Sequence, residues 1–151
     1  MTGQADTNNI STVMIGPLEG LPLPDLDNLP DYEQGFWEGA KAHELRLQQC
    51  AHCALFRHLP TPMCPNCHSL EYKWIKTSGR GKVYSYVIAH HPVHEALKEK
   101  KQTPYNIALI ELEDQKGLRI VSNIINTPPE GISIDMSVEV TFMPCNDDRN
   151  I

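Results

Sequence analysis

Cys50-Ala51-His52-Cys53 and, ten residues later, Cys64-Pro65-Asn66-Cys67 form the stretch around which the rest of the chain is organised. Two thiols separated by two residues sit on one tight turn, and a loop between two such turns lets them face each other around a tetrahedral ion. The spacing predicts a metal-bearing ribbon with Cys50, Cys53, Cys64 and Cys67 as ligands. Zinc is the expected ion, and a structural one, because four thiolates leave no position open for water or substrate. Iron accepts the same ligands, and spacing does not separate the two. Such an ion supplies on the order of 10 kcal/mol of folding free energy, enough to order a segment too short to build its own core. The competing reading is a pair of disulfides or buried free thiols. It is disfavoured by the distant position of the other cysteine, Cys145, and by the lack of an export leader ahead of the ribbon.

The residues flanking the ribbon alternate as short strands do. Leu45 and Leu47 lead into Cys50, and Tyr72 and Trp74 lead away from Cys67, so the ribbon is placed at 45–76. His52, His58 and His68 stand near the cysteines, but four sulfurs already saturate the ion. These histidines are read as surface or supporting residues.

Upstream, residues 1–30 are rich in Gly, Pro, Asn and Asp, and prolines preclude a regular helix there. The segment reads as an extended arm whose Leu18, Leu21, Leu23, Leu26 and Leu29 suit contact with a partner. A docking helix is placed in 31–47, with its helical core over 32–43 capped by Asp31 and Gln34. It aligns Tyr32, Phe36, Ala40 and His43 on one stripe beside Trp37, despite Gly35 and Gly39, which weaken a helix by roughly 1 kcal/mol each relative to alanine. A helix this short needs something to dock on.

Downstream, 77–151 reads as β throughout. Ser78-Gly79-Arg80-Gly81 is a turn, 82–89 a long β-branched and aromatic strand, and 94–102 a polar, lysine-rich excursion. Strands at 106–112 and 118–125 are joined by a loop ending in Gly117, and 137–142 closes the set. The fold class is therefore mainly β with an N-terminal helix: a rubredoxin-like zinc ribbon followed by a small Greek-key barrel of OB type, with a sandwich fragment as the alternative.

Charge and hydropathy narrow the function. The formal net charge is −6 in 151 residues, and 1–49 alone hold eight acids against Lys41 and Arg46. Four thiolates around one dication add about −2 more. That balance weighs against a nucleic-acid partner, which demands a basic face. The sequence has no apolar run of membrane-spanning length, and a reducing, cytoplasmic setting is expected.

The order of helix, paired CxxC ribbon and barrel resembles a known family, the zinc-ribbon and OB-fold accessory proteins grouped as domain of unknown function thirty-five. The resemblance covers about 32–142. It rests on Phe36-Trp37 ahead of Leu45-Arg46-Leu47-Gln48-Gln49-Cys50, the two cysteine pairs, Gly79-Arg80-Gly81-Lys82-Val83, Pro104-Tyr105-Asn106-Ile107-Ala108-Leu109-Ile110, and Val138-Glu139-Val140-Thr141-Phe142. The resemblance implies a non-catalytic subunit in a hetero-oligomer. Its partner would be a thiolase-like or lipid-transfer-type enzyme acting on acyl-CoA thioesters, in steroid side-chain cleavage or acyl transfer. It also implies that the barrel helps hold CoA while the helix and ribbon hold the partner. Two departures stand out: Ala54 and Asp135 occupy positions where the family usually has glycine.

On this reading Arg80 and Lys82, beside the barrel-entry turn, are candidates for CoA phosphates, with Lys98, Lys100 and Lys101 as a further cluster. His91 and Tyr105, with His90, are candidates for stacking or hydrogen bonds to the same ligand. Tyr32, Phe36 and Trp37 are the candidate docking residues. The alternative function is a nucleic-acid-binding ribbon and OB module. Independent catalysis would need an acid–base pair such as His90 or His91 with Glu95 or Asp135, or His43 with Glu44. No nucleophile elbow, P-loop or dinucleotide fingerprint is present, and Cys145 reads as incidental rather than nucleophilic.

Overall fold

The computed structural model describes residues 11–14, 25–91, 104–145 and 149–150. Helix α1 spans Asp31–Lys41. It starts from Pro30, and the expected cap does not form: Asp31 lies inside the first turn, and the Gln34 amide reaches the Asp31 carboxylate and the Leu29 carbonyl instead. The helix ends two residues short of the expected His43, which adopts a left-handed φ of 55°.

The ribbon is a three-stranded antiparallel sheet ordered β3–β2–β4, with β2 Arg46–Cys50, β3 Phe56–Arg57 and β4 Tyr72–Lys76. Strand β2 does not alternate simply between apolar-in and polar-out. Leu47 faces the barrel core, while Gln48 is also fully buried, because it stands across from Trp74 on β4 and α1 covers that side of the sheet at Gly35.

The barrel closes in the order β1–β7–β6–β5–β8, using β5 Arg80–Ala89, β6 Tyr105–Leu112, β7 Arg119–Ile125 and β8 Ser137–Thr141. Its fifth strand, β1 Ser11–Met14, comes from the stretch read as an arm. It lies antiparallel to β7 and parallel to β8, so segment 1–30 includes part of the barrel wall. A second small pairing joins β9 Pro144–Cys145 to β10 Arg149–Asn150. The other arm leucines before 25 and the excursion at 94–102, with Lys98, Lys100 and Lys101, lie outside the described residues.

The core is filled by Val83, Ala108, Ile110, Leu112, Leu118, Ile120, Ile124, Ile132 and Val138, and Leu45 and Leu47 of the ribbon join the same cluster. In β5 the inward parity changes along the strand. A register slip between Val83 and Ser85 adds one residue, so Gly81 and Val83 point inward before it, and Tyr86 and Ile88 pack on the core after it. The β6–β7 ladder is completed by a side chain. The Asn106 amide donates to the Ile124 carbonyl at 2.7 Å and accepts from the Ile124 N–H at 2.6 Å, standing in for a backbone pair. Among the described residues no helix is long and apolar enough to cross a membrane.

Candidate metal centre and its surroundings

The two cysteine turns share one construction. Cys50 N–H donates to Leu55 O and Ala54 N–H to Cys50 O, at 2.9 and 3.1 Å. Cys64 N–H donates to Ser69 O and His68 N–H to Cys64 O, each at 2.9 Å. Each turn requires a left-handed residue immediately after its second cysteine, and Ala54 (φ 58°) and His68 (φ 59°) fill those positions. This explains why glycine suits the place held by Ala54. The other departure, Asp135, also has a left-handed φ of 63°, a conformation that aspartate tolerates better than alanine does.

The turns bring the four sulfurs within 4.8 Å of one another. Cys50 Sγ lies 3.5 Å from Cys67 Sγ, and Cys53 Sγ 3.6 Å from Cys64 Sγ. A disulfide needs about 2.05 Å, so the pairs are not bridged. A tetrahedral ion with sulfur at about 2.3 Å would set sulfur–sulfur spacings near 3.8 Å, close to what is seen. Cys50 and Cys64 are buried, and Cys67 faces solvent.

Nearby N–H groups prepare the sulfurs to carry negative charge. The Asn66 side chain, with the Leu55 N–H, brings the Cys53 thiol down to about 6. The Cys53 N–H, with the His52 N–H, lowers Cys50. The Ser69 N–H acts to lower Cys67 as well, but burial and the three other sulfurs outweigh it and push that thiol up to about 12. Four crowded sulfurs compete for charge, and their spacing and chemistry fit a tetrahedral cation among them. His52 pairs with Glu71 at 3.3 Å, and burial holds the His58 imidazole below its ordinary value.

The three candidate docking residues lie side by side. Tyr32, Phe36 and Trp37 line an apolar groove of about 290 Å³ with Leu59, Pro60 and Pro62 of the ribbon loop. Phe36 meets Trp37 edge-on with ring centroids 5.3 Å apart, and Leu59 is 75% exposed.

The four CoA candidates do not form one pocket. Arg80 and Lys82 are exposed at the start of β5, where Arg80 approaches Glu113 at 3.6 Å. His91 lies just past the other end of β5 and is exposed. Tyr105, opposite Ala89, is buried with no hydrogen-bond partner for its hydroxyl. Seven residues of strand, about 23 Å, separate Lys82 from Ala89. His90 is exposed, Glu95 lies outside the described residues, and the His43 ring stacks on Phe142 with centroids 5.6 Å apart. Glu44 is held by Arg46 at 2.6 Å and Lys76 at 3.1 Å, first of all by the Arg46 hydrogen bond, which keeps its carboxyl below the usual range.

One group was not legible in the sequence. Where the ribbon meets the barrel, Arg57, Lys116 and Arg119 line a cleft of about 490 Å³. The cleft is formed because Gln115, at the tip of the β6–β7 loop, binds the Phe56 N–H at 2.9 Å and so fixes that loop along the free edge of β3. A contact between positions 59 residues apart leaves no trace in local spacing.

Residues 37–72 match the family model described as ChsH2, rubredoxin-like zinc ribbon domain, and residues 74–143 match ChsH2, C-terminal OB-fold domain. A DUF35 domain-containing scaffold protein from Methanocaldococcus jannaschii is 40% identical over 66% of this chain and 68% of its own length. The chain belongs to the DUF35 family. A probable enoyl-CoA hydratase alpha subunit from Thermomonospora curvata is 40% identical over 74% of this chain. A 3-oxo-4,17-pregnadiene-20-carboxyl-CoA hydratase alpha subunit from Mycobacterium tuberculosis is 37% identical over 72% of it. The DUF35 chain spans only about a third of the length of these two curated relatives. A solved structure described as Ltp2-ChsH2(DUF35) aldolase superposes with a TM-score of 0.71 at 35% identity, covering 82% of this chain and 93% of that one.

Proposed function

We propose that this DUF35 protein is an accessory subunit, non-catalytic by itself. It docks on a thiolase-like or lipid-transfer-type enzyme and helps that enzyme hold acyl-CoA thioesters. The observation that carries the reading is the likeness to the ChsH2(DUF35) part of an aldolase that includes a second protein, Ltp2. The two longer relatives support the ligand class, since each is named for an acyl-CoA substrate. The ion is zinc, bound by Cys50, Cys53, Cys64 and Cys67. It is structural, because four thiolates leave it no open coordination position.

The groove of Tyr32, Phe36 and Trp37 is the docking surface, since its aromatic side chains bury apolar area in the way that anchors of stable interfaces do. Arg80 and Lys82 are at the barrel end that abuts the ribbon, where a CoA phosphate would be met, and His91 and Tyr105 are too distant to touch the same group. Steroid side-chain cleavage and acyl transfer are the reactions this assembly would serve, in the cytoplasm. The test is affinity capture of the tagged chain from its native source, followed by an assay of retro-aldol cleavage and condensation on the recovered complex. Recovery of a thiolase-like enzyme whose activity depends on this subunit is expected. A chain recovered alone, or turning over acyl-CoA without a partner, overturns the reading.

A further inference from the structure

The junction cleft has a charge problem that the accessory reading does not use. Arg57 is only 5% exposed, and its guanidinium makes one hydrogen bond, from Nη1 to Thr61 Oγ1 at 3.3 Å. Its Nε and Nη2 have no partner, and neither has Nε2 of the buried Gln48 directly across from it on β2. A buried guanidinium without an anion is costly, and natural proteins normally pair it. Arg57 forms part of the cleft wall with Lys116 and Arg119, and no Asp or Glu lines that cleft. This is anomalous in a chain whose net charge is −6. Arg119 is oriented rather than free: Glu111 holds its Nε at 2.8 Å, and its guanidinium lies 3.5 Å over the Tyr84 ring. With Glu111 counted against Arg119, the residual charge at the cleft is that of Arg57 and Lys116. It matches a phosphate monoester, which carries close to two negative charges at neutral pH.

We propose that this cleft is a phosphate site, with Arg57 as its deep contact and Lys116 and Arg119 at its rim. The site takes the phosphate-bearing end of a nucleotide-type ligand. Guanidinium groups suit this role because they offer several fixed donors to phosphate oxygens. The inference deepens the acyl-CoA reading and rests on it for the identity of the natural ligand. The site itself is argued from the unpaired Arg57 and the cleft.

Calorimetric titration of the full, metal-loaded chain with coenzyme A and with ADP tests the proposal on wild type, Arg57→Gln and Lys116→Glu. Lys116 is an exposed loop residue, so its variant keeps the test valid even if Arg57→Gln does not fold. Loss of one charge-assisted contact should weaken binding about ten- to a hundredfold, and added salt should weaken it further in wild type. Wild-type binding of coenzyme A with that loss in Lys116→Glu upholds both the site and the acyl-CoA reading. Binding of ADP with the same loss, but none of coenzyme A, upholds the site and removes the acyl-CoA reading. Coenzyme A binding that is unchanged within twofold in Lys116→Glu overturns the site and leaves the acyl-CoA reading standing. No binding of either probe at millimolar concentration overturns the site together with direct CoA binding by this chain.

Discussion

Replacing Gly35 by alanine separates two opposing effects in helix α1. Helix propensity alone predicts a gain of about 1 kcal/mol, because glycine is the poorer helix former. The structure predicts the reverse. A Cβ at position 35 would lie 2.4 Å from Cδ1 and Nε1 of Trp74 and 2.5 Å from Cδ2, so it would sit inside the indole ring. Ordinary carbon contacts are about 3.5–4.0 Å, so α1 and β4 must separate by about 1 Å or the indole must turn. Turning is restricted, since Trp74 packs edge-on against Tyr72, with ring centroids 6.4 Å apart, and lies opposite the buried Gln48. Overpacking of this kind costs about 1–3 kcal/mol. After subtracting the propensity gain, we expect a net loss of up to about 2 kcal/mol, a fall in Tm of up to roughly 6 °C for a chain of this size. Urea unfolding of the metal-loaded protein measures it. In a Trp74→Leu background the clash is relieved, and the same substitution should be neutral or stabilising. A Gly35→Ala protein more stable than wild type with Trp74 intact would refute the packing argument.

Three further outcomes follow from the site and the barrel. Removing the ion with a chelator under reducing conditions should unfold the ribbon, a loss on the order of 10 kcal/mol of binding free energy; elemental analysis should find one metal per chain before treatment, and far-UV circular dichroism should change when it leaves. Asn106→Ala strands the N–H and C=O of Ile124 inside the barrel, and denaturant unfolding should show a loss of about 2–4 kcal/mol. Ala54→Gly removes a left-handed alanine that costs about 1–2 kcal/mol and adds glycine's entropy in the unfolded chain, about 0.5–1 kcal/mol. Thermal unfolding should therefore show a gain of about 0.5–1 kcal/mol, with metal content unchanged.

The sequence made the ribbon legible because its signal is local: two cysteine pairs, each closing a turn within a few residues. The strands of the barrel were legible for the same reason, through alternation and the turn before Gly117. Features that depend on distant contacts were not. Strand β1 is four residues long and pairs with strands more than a hundred positions away, so nothing near Ser11 distinguishes it from an arm. Gly35 and Gly39 read as weak points of a helix, and only the placement of Trp74 and of the Glu44 backbone shows why nothing larger fits. Arg80 and His91 looked like members of one site because both flank the same strand, and a strand is what holds them apart.

The ribbon and the barrel bear on each other through β2. Leu45 and Leu47 precede the first metal ligand yet belong to the same buried cluster as Val83, Ile110 and Val138. Thr77 fastens the junction by donating its N–H and its hydroxyl to the Leu45 carbonyl, at 2.9 and 3.0 Å. Asp114 takes the Ser78 N–H and hydroxyl at 2.9 and 3.0 Å, and Gln115 takes Phe56, so the β6–β7 loop is held from both sides. If the ion leaves and β2 loosens, the barrel loses the cover that Leu47 provides, worth about 1.5–3 kcal/mol for a fully buried leucine. Lys116 and Arg119 then lose the edge of β3 against which their cleft is built. An ion held by the four cysteines would therefore act on the barrel mechanically, through a shared strand and a pinned loop, even though it would offer no position of its own to a substrate. An enzyme docked in the α1 groove would press on the face of β2 opposite Leu47, where Gln48 is buried across from Arg57 of β3, so docking and occupation of the cleft would act on neighbouring strands of one sheet.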